Sequence, residues 1–96
     1  MLLLKSFFAG LFLFNSLPHL FKGITGQTHM TPFKRVSSAY LNLFWAFINI
    51  IMASLLLVRP LTAVAMWVFL AGGFLISMAD AQLFSKPNAR LPWHKD

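Results

Sequence analysis

The stretch that decides the fold runs from Val36 to Ala79 and reads VSSAYLNLFWAFINIIMASLLLV (36–58), then Arg59, then PLTAVAMWVFLAGGFLISMA (60–79). Its two apolar halves are 23 and 20 residues long and carry no charged side chain. One helix over 39–84 would be about 69 Å long, whereas the hydrocarbon core of a bilayer is about 30 Å thick. The chain must therefore fold back. Arg59 and Pro60 are the predicted hinge of a tight helical hairpin, because proline disfavours helix before it and suits the first helical position.

A third apolar segment precedes this hairpin. Leu2 to Phe21 spans 20 residues with Lys5 as its single charge, and Pro18 interrupts its end. The segment can be a retained transmembrane helix, a cleaved signal peptide, or an interfacial or re-entrant segment. We adopt the first alternative. The prediction is then an all-α integral membrane protein with one domain, 1–96, made of helices at about 4–22, 37–58 and 60–83, a loop at 23–36 and a tail at 84–96.

The distribution of basic residues predicts the orientation. With three spans, the loop and the tail share one side and carry six of the eight basic residues: Lys22, Lys34, Arg35, Lys86, Arg90 and Lys95. Basic residues collect on the cytoplasmic side of membranes. We therefore expect the N-terminus outside and the C-terminus in the cytoplasm. Pro87 and Pro92 favour an extended tail.

Composition excludes several classes of protein. Apolar residues make up 58% of the 96 residues and charged residues only 10%, whereas soluble domains are about 25% charged. The absence of cysteine excludes disulfides, thiolate metal sites and thiol catalysis. The net charge of +6 includes no basic run longer than two residues, so nucleic acid is not expected as a partner. No cofactor or metal is expected either, since only one histidine, His19, lies in a predicted span.

Polar residues near the loop end of the predicted spans are the candidate site. We expect them to form one polar cluster at the cytoplasmic mouth: Asn15, His19, Asn42 and Asp80. Asp80 can pair with a basic residue of the loop, or it can handle protons or cations. His19 can satisfy the backbone carbonyl that Pro18 leaves free, carry a proton, or bind a metal.

Two rows of small or amide side chains predict helix packing. On the second helix, Asn42 and Asn49 share a face with Ala46 and Ala53. This face can be packing glue or the polar lining of a path for a substrate. On the third helix, small residues recur every four positions, which lets another helix or another subunit approach closely; they are Gly73, Ser77 and Ala81.

A sparse pattern covers roughly residues 11–50. It consists of Asn15-x-x-Pro18-His19, Gly23-x-x-Gly26, Pro32-Phe33 and Asn42-x-x-Trp45. The pattern resembles small uncharacterised multi-span bacterial membrane proteins. The resemblance implies a multi-span protein of a bacterial cytoplasmic membrane and no known activity. It does imply a loop folded back against the mouth of the bundle.

These features predict a partner more clearly than a reaction. Three thin helices enclose little volume, so we expect self-association or a larger membrane protein as partner, besides the lipid bilayer. No nucleophile, base and acid occur together, so an enzyme is not expected. The expected function is a non-enzymatic accessory or scaffold subunit of a membrane complex. The alternative is a homo-oligomeric transporter or channel protomer that uses the polar cluster.

Overall fold

The computed structural model describes residues 2–57, 61–86 and 91–94, and within them the fold is all-helical. The helices are α1 (Leu2–Ile24), α2 (Ala39–Leu56) and α3 (Ala63–Phe84). Each is long and apolar enough to cross a membrane, judged by length and composition. The predicted all-α class with three such helices is confirmed. The predicted hinge residues, Arg59 and Pro60, lie outside the described residues.

Capping residues set where α2 and α3 begin. The Ser38 hydroxyl accepts a hydrogen bond from the Leu41 N–H at 3.1 Å, and the Thr62 hydroxyl accepts one from the Ala65 N–H at 3.1 Å. Serine and threonine satisfy the free N–H groups of a first helical turn in this way. As a result α2 begins at residue 39 rather than 37, and α3 begins at residue 63 rather than 60.

The end of α1 is fixed by a glycine in the left-handed region. Gly26 has a φ of 72°, which is a costly conformation for a residue with a Cβ. Its N–H donates to the Gly23 carbonyl at 3.1 Å, and the Gln27 N–H donates to the Lys22 carbonyl at 2.8 Å. This arrangement is a Schellman-type helix end. It terminates α1 and turns the chain into the loop 25–38.

Helix α1 lies between the other two helices. It packs against both α2 and α3, whereas no described residues of α2 and α3 have Cα atoms within 8 Å of each other. Asn15 and His19 meet Asn49 and Asn42 in turn, so α2 runs antiparallel to α1. The two helices expected to form a tight hairpin are thus held by α1 and not by each other.

Glycines explain why α3 packs on α1. A Cβ at Gly10 would overlap the Phe69 carbonyl of α3, and a Cβ at Gly72 would overlap the Phe7 carbonyl of α1. The two backbones are therefore in direct contact, which glycine alone permits. The geometry matches the close crossings that small residues allow between apolar helices.

The interior of the fold contains small side chains and the exterior contains large ones. The buried residues of α2 are the predicted face: Asn42, Ala46, Asn49 and Ala53. Large apolar side chains point outward, including Phe44 and Leu55 on α2 and Trp67 and Phe74 on α3. A water-soluble domain of this size would bury its large apolar groups to gain hydrophobic free energy.

Candidate functional site

Asn42 is the centre of the polar structure at the loop end of the helices. It is fully buried. Its side-chain NH₂ donates to three backbone carbonyls, those of His29 at 3.0 Å, Ser37 at 3.2 Å and Ser38 at 3.0 Å. Because only the nitrogen of an amide can donate, these three carbonyls fix the orientation of the side chain. Asn42 therefore ties the loop to the start of α2.

The orientation of Asn42 determines the proton position on His19. The Asn42 Oδ1 lies 2.9 Å from the Nδ1 of His19, which is 3% exposed. Since Oδ1 only accepts, Nδ1 must carry a hydrogen and donate it. In the neutral ring the Nε2 then holds a lone pair. The expectation that His19 satisfies the carbonyl freed by Pro18 is not what the structure shows, because Asn42 from the next helix is its partner.

A second hydrogen-bond chain joins α1 to α2 one heptad further from the loop. The Asn49 side-chain NH₂ donates to the Trp45 carbonyl at 2.9 Å, so its Oδ1 is the acceptor for the Asn15 NH₂ at 3.2 Å. Asn15 uses one of its two N–H groups in this contact, and its own Oδ1 has no partner among the described residues. The two predicted asparagines of α2 thus each hold a polar residue of α1.

The loop is folded over these contacts and does not extend into solvent. His29 and Ser37 exchange backbone hydrogen bonds at 3.1 Å in both directions. The hydroxyls of Thr31 and Ser37 lie 2.7 Å apart, and that of Ser37 donates to the Lys34 carbonyl at 3.0 Å. Thr31 and Ser37 are buried. Their bonds close the segment 29–37 into a compact turn.

The described part of the tail covers the loop. The Trp93 indole N–H donates to the Pro32 carbonyl at 2.7 Å, and the His94 Nε2 lies 2.8 Å from the Thr31 carbonyl. His94 is buried, with 4% of its surface exposed. The expectation of an extended tail is wrong for residues 91–94. Two side-chain bonds to the loop outweigh the preference of Pro92 for extended backbone.

A cavity of about 160 Å³ lies where the three helices, the loop and the tail meet. Three of the four residues of the predicted cluster border it; the fourth, Asn42, lies behind His19. The lining consists of Asn15, His19, Met30, Thr31, Pro32, Trp45, Asp80, Leu83, Phe84 and Leu91. The site is therefore a small pocket with apolar walls and a few polar groups, which is the usual make-up of a ligand site.

Asp80 brings the only described carboxylate side chain to this pocket. No hydrogen bond or ion pair joins it to another described residue. The expected pairing with a basic residue of the loop is absent there, and Lys22 instead donates to the Gln27 side chain at 3.0 Å. Asp80 is half-buried, so its carboxylate lies at the boundary between the pocket and the surface.

The predicted small-residue row on α3 divides between two environments. Gly73 is buried, and a Cβ there would overlap the Phe14 ring of α1. Ser77 and Ala81 are exposed and line an open groove of about 290 Å³ between α1 and α3. Asp80 borders this groove as well as the pocket. Gly73 thus serves the contact within the chain, and the other two residues face outward.

His29 is the titratable group of the loop with the strongest perturbation among those outside the helices. Its ring lies 4.4 Å from that of Phe84 and 5.3 Å from that of His19, and its Nε2 is buried without a hydrogen-bond partner. Burial lowers the pKa of His29 to about 4, and repulsion from the protonated form of His19 and from the charge of Lys22 contributes. The site therefore holds His29 uncharged at neutral pH.

This shift predicts that acid loosens the loop. An unfolded histidine has a pKa of about 6.5, so between pH 6.5 and 4 the opened chain binds a proton that the folded chain does not. The folded state is then most stable above pH 6.5 and loses stability as the pH falls toward 4. Amide hydrogen exchange of the loop, measured at pH 7 and 4.5 and corrected for intrinsic rates, should show this loss. His29→Phe, which keeps an aromatic ring beside Phe84, should weaken the pH dependence. An unchanged dependence in that variant would contradict the assignment.

Several residues of the site were not singled out from the sequence. Thr31, Ser37 and the carbonyl of His29 form the loop core, and Phe84 supplies an aromatic wall. The sequence signal for this loop core was the group of hydroxyl side chains just before the start of α2. Their partners lie in other segments, so the spacing of residues gave no indication of the contacts.

The chain matches no model of a known protein family, and comparisons with curated proteins and with solved structures found no significant match. Within 2–57, 61–86 and 91–94, no three histidine, aspartate or glutamate side chains are grouped as a metal site would require. The pocket and the groove are therefore the features from which a function is inferred.

Proposed function

We propose that this chain is a small integral membrane protein that serves as a non-enzymatic accessory or scaffold subunit of a membrane complex. The first support is the distribution of side chains. Three helices of spanning length have an interior of small residues such as Ala9 and Ala46 and an exterior rich in large apolar groups. In a bilayer such an exterior costs nothing, and small interior residues allow close helix packing.

The observation that carries the subunit role is the groove between α1 and α3. It is open, it presents the small residues Ser77 and Ala81, and its wall includes the carboxylate of Asp80, which has no partner among the described residues. A transmembrane helix can approach closely over small residues. A carboxylate near the membrane is stabilised by a donor from a partner. The groove therefore suits a helix with a polar or basic side chain near one end.

The proposed topology places the N-terminus outside and both the loop and the tail in the cytoplasm. Helix α2 runs antiparallel to α1. Helix α3 runs parallel to α1, because Gly10 lies beside Phe69 and, further along both helices, Pro18 and Ala81 line the same groove. This direction of the helices suits three successive crossings. The excess of basic residues in the loop and tail supports the cytoplasmic side for that end.

The test is the composition of the complex extracted gently from its native membrane. We expect a stoichiometric partner that is lost in Ser77→Leu and Ala81→Leu, because a leucine fills the groove. Ala71→Leu adds the same bulk at an exposed position of α3 outside the groove and should leave the complex intact. Retention of the partner by both groove variants would contradict the proposal.

A second candidate, a homo-oligomeric transporter or channel protomer, is favoured by one observation. Asp80 borders both the interior pocket and the outer groove, so one carboxylate can serve both spaces. The same extraction distinguishes the two candidates. A foreign partner supports the subunit role, and a homo-oligomer without a foreign partner supports transport.

A further inference from the structure

The pocket beside His19 presents more hydrogen-bond acceptors than donors. The hydrogen of His19 Nδ1 is used by Asn42, so the Nε2 offers a lone pair. One hydrogen of the Asn15 NH₂ is used by Asn49, so its second hydrogen and its Oδ1 remain. Asp80 adds a carboxylate without a partner among the described residues. Both His19 Nε2 and Asn15 Oδ1 keep accessible surface, unlike the Nε2 of His29, which is buried without a hydrogen-bond partner.

Thr31 adds no hydrogen-bond donor to the pocket. The Ser37 hydroxyl spends its hydrogen on the Lys34 carbonyl at 3.0 Å, so in the 2.7 Å contact between the two hydroxyls Thr31 is the donor. Its oxygen then accepts from the backbone N–H of Phe33 and Lys34. No hydrogen of Thr31 is left for a ligand. Among the lining side chains, the Trp45 indole N–H and the second N–H of Asn15 remain as donors.

The walls and the size of the pocket restrict the ligand further. Trp45 and Phe84 bring aromatic rings to the same space as the carboxylate of Asp80, and aromatic faces attract cations. The volume of about 160 Å³ is below the roughly 300–1,000 Å³ of common ligand pockets. The occupant is therefore a cation of a few heavy atoms that donates hydrogen bonds.

We propose that this pocket binds a small protonated amine, either ammonium or the primary ammonium group of a short alkylamine. Such a group has three or four N–H donors, and the pocket supplies an imidazole lone pair, an amide oxygen and a carboxylate to receive them. Spherical alkali ions prefer oxygen ligands over imidazole, and a quaternary ammonium has no hydrogen to donate. The amine site lies within one chain and does not require a partner subunit, although it shares the carboxylate of Asp80 with the proposed partner groove.

The same primary ammonium chemistry has two sources, a free amine or the ethanolamine headgroup of a phospholipid. The test uses radiolabelled methylammonium and the full chain in nanodiscs of phosphatidylcholine and phosphatidylglycerol, with and without phosphatidylethanolamine. Saturable binding in both membranes assigns the site to the free amine. Binding that is suppressed by phosphatidylethanolamine assigns it to the headgroup. The chain carries a net charge of +6, which disfavours non-specific accumulation of cations.

The variants identify the groups involved. Asp80→Asn should weaken methylammonium binding by about tenfold or more, the usual loss for a hydrogen bond to a charged group. Gln82→Lys raises the net charge equally at an exposed position outside the pocket and the groove and should have no effect. His19→Gln retains a donor toward Asn42 and an acceptor for the ligand, so it should bind, whereas His19→Phe should not.

Competition binding to the unmodified protein tests the same site without any variant that could misfold. Unlabelled ammonium should displace methylammonium from the unmodified protein, and tetramethylammonium and potassium should not. Absence of saturable binding in both membranes, equal displacement by tetramethylammonium, or an Asp80→Asn variant that folds and binds normally would overturn the proposal.

Discussion

Replacing Gly10 or Gly72 with alanine is expected to destabilise the fold by about 1–3 kcal/mol, the usual cost of overpacking. In an exposed helix this change stabilises by about 1 kcal/mol, because alanine is the better helix former. Here the added Cβ would overlap a backbone carbonyl, that of Phe69 for Gly10 and that of Phe7 for Gly72. A backbone atom cannot rotate away as a side chain can. The two helices must separate, and their contacts weaken.

The free energy of unfolding can be measured by titration with sodium dodecyl sulfate in mixed micelles, followed by circular dichroism. Ala71→Leu is the control, since it enlarges an exposed neighbour of Gly72 on the same helix. We expect the control to remain within about 0.5 kcal/mol of the unmodified protein. If either glycine variant were as stable as the control or more stable, the direct backbone contact between α1 and α3 would be contradicted.

Periodicity and length were sufficient for the elements of this fold. The lack of charge over 36–58 and 60–79 cannot be reconciled with one helix in a bilayer, so two helices follow there, and the apolar segment 2–21 gives the third. On α2, the spacing of Asn42, Ala46 and Asn49 places them on one face, and they are buried together. Both inferences use only the pitch of a helix, which is the same in every sequence.

The arrangement of the helices could not be read in the same way. Consecutive helices are expected to pack together, yet α1 lies between α2 and α3. The decisive contacts join Gly10 to the α3 backbone and Asn15 to Asn49. Glycine is common in apolar helices, and nothing in the sequence positions of Gly10 and Gly72 shows that α1 and α3 come into contact there. Pairing of this kind depends on the fit between two surfaces.

The polar site shows the same limit. The sequence indicated that His19, Asn42 and Asp80 lie near one end of the helices, and the structure gives His19 a hydrogen bond to Asn42 and places Asp80 across the pocket. The bonds of Asn42 to three loop carbonyls and of His94 to Thr31 could not be foreseen. Backbone carbonyls occur at every position, so a sequence cannot show which of them a buried amide will bind.

Asn42→Asp is expected to be among the most damaging isosteric changes in the described part of the chain, with a loss of about 3 kcal/mol or more. The substitution keeps the shape of the side chain and the acceptor for His19. It replaces the NH₂ that donates to the carbonyls of His29, Ser37 and Ser38 with an oxygen. Three carbonyl oxygens then face an acceptor in a buried site, and repulsion replaces attraction.

Asn49→Asp is the matched control, because Asn49 is equally buried, lies two turns further along α2 and donates to a single carbonyl, that of Trp45. Interhelical hydrogen bonds between apolar helices contribute on average about 0.6 kcal/mol, so its loss should be clearly smaller. Hydrogen exchange distinguishes the two further, since only Asn42→Asp should expose the amides of His29 and Ser37. Those two N–H groups close the loop on itself, and the loop in turn covers the pocket. If their protection survived in Asn42→Asp, the amide of Asn42 would not be what holds the loop in place, and the donor assignment at His19 would lose its foundation.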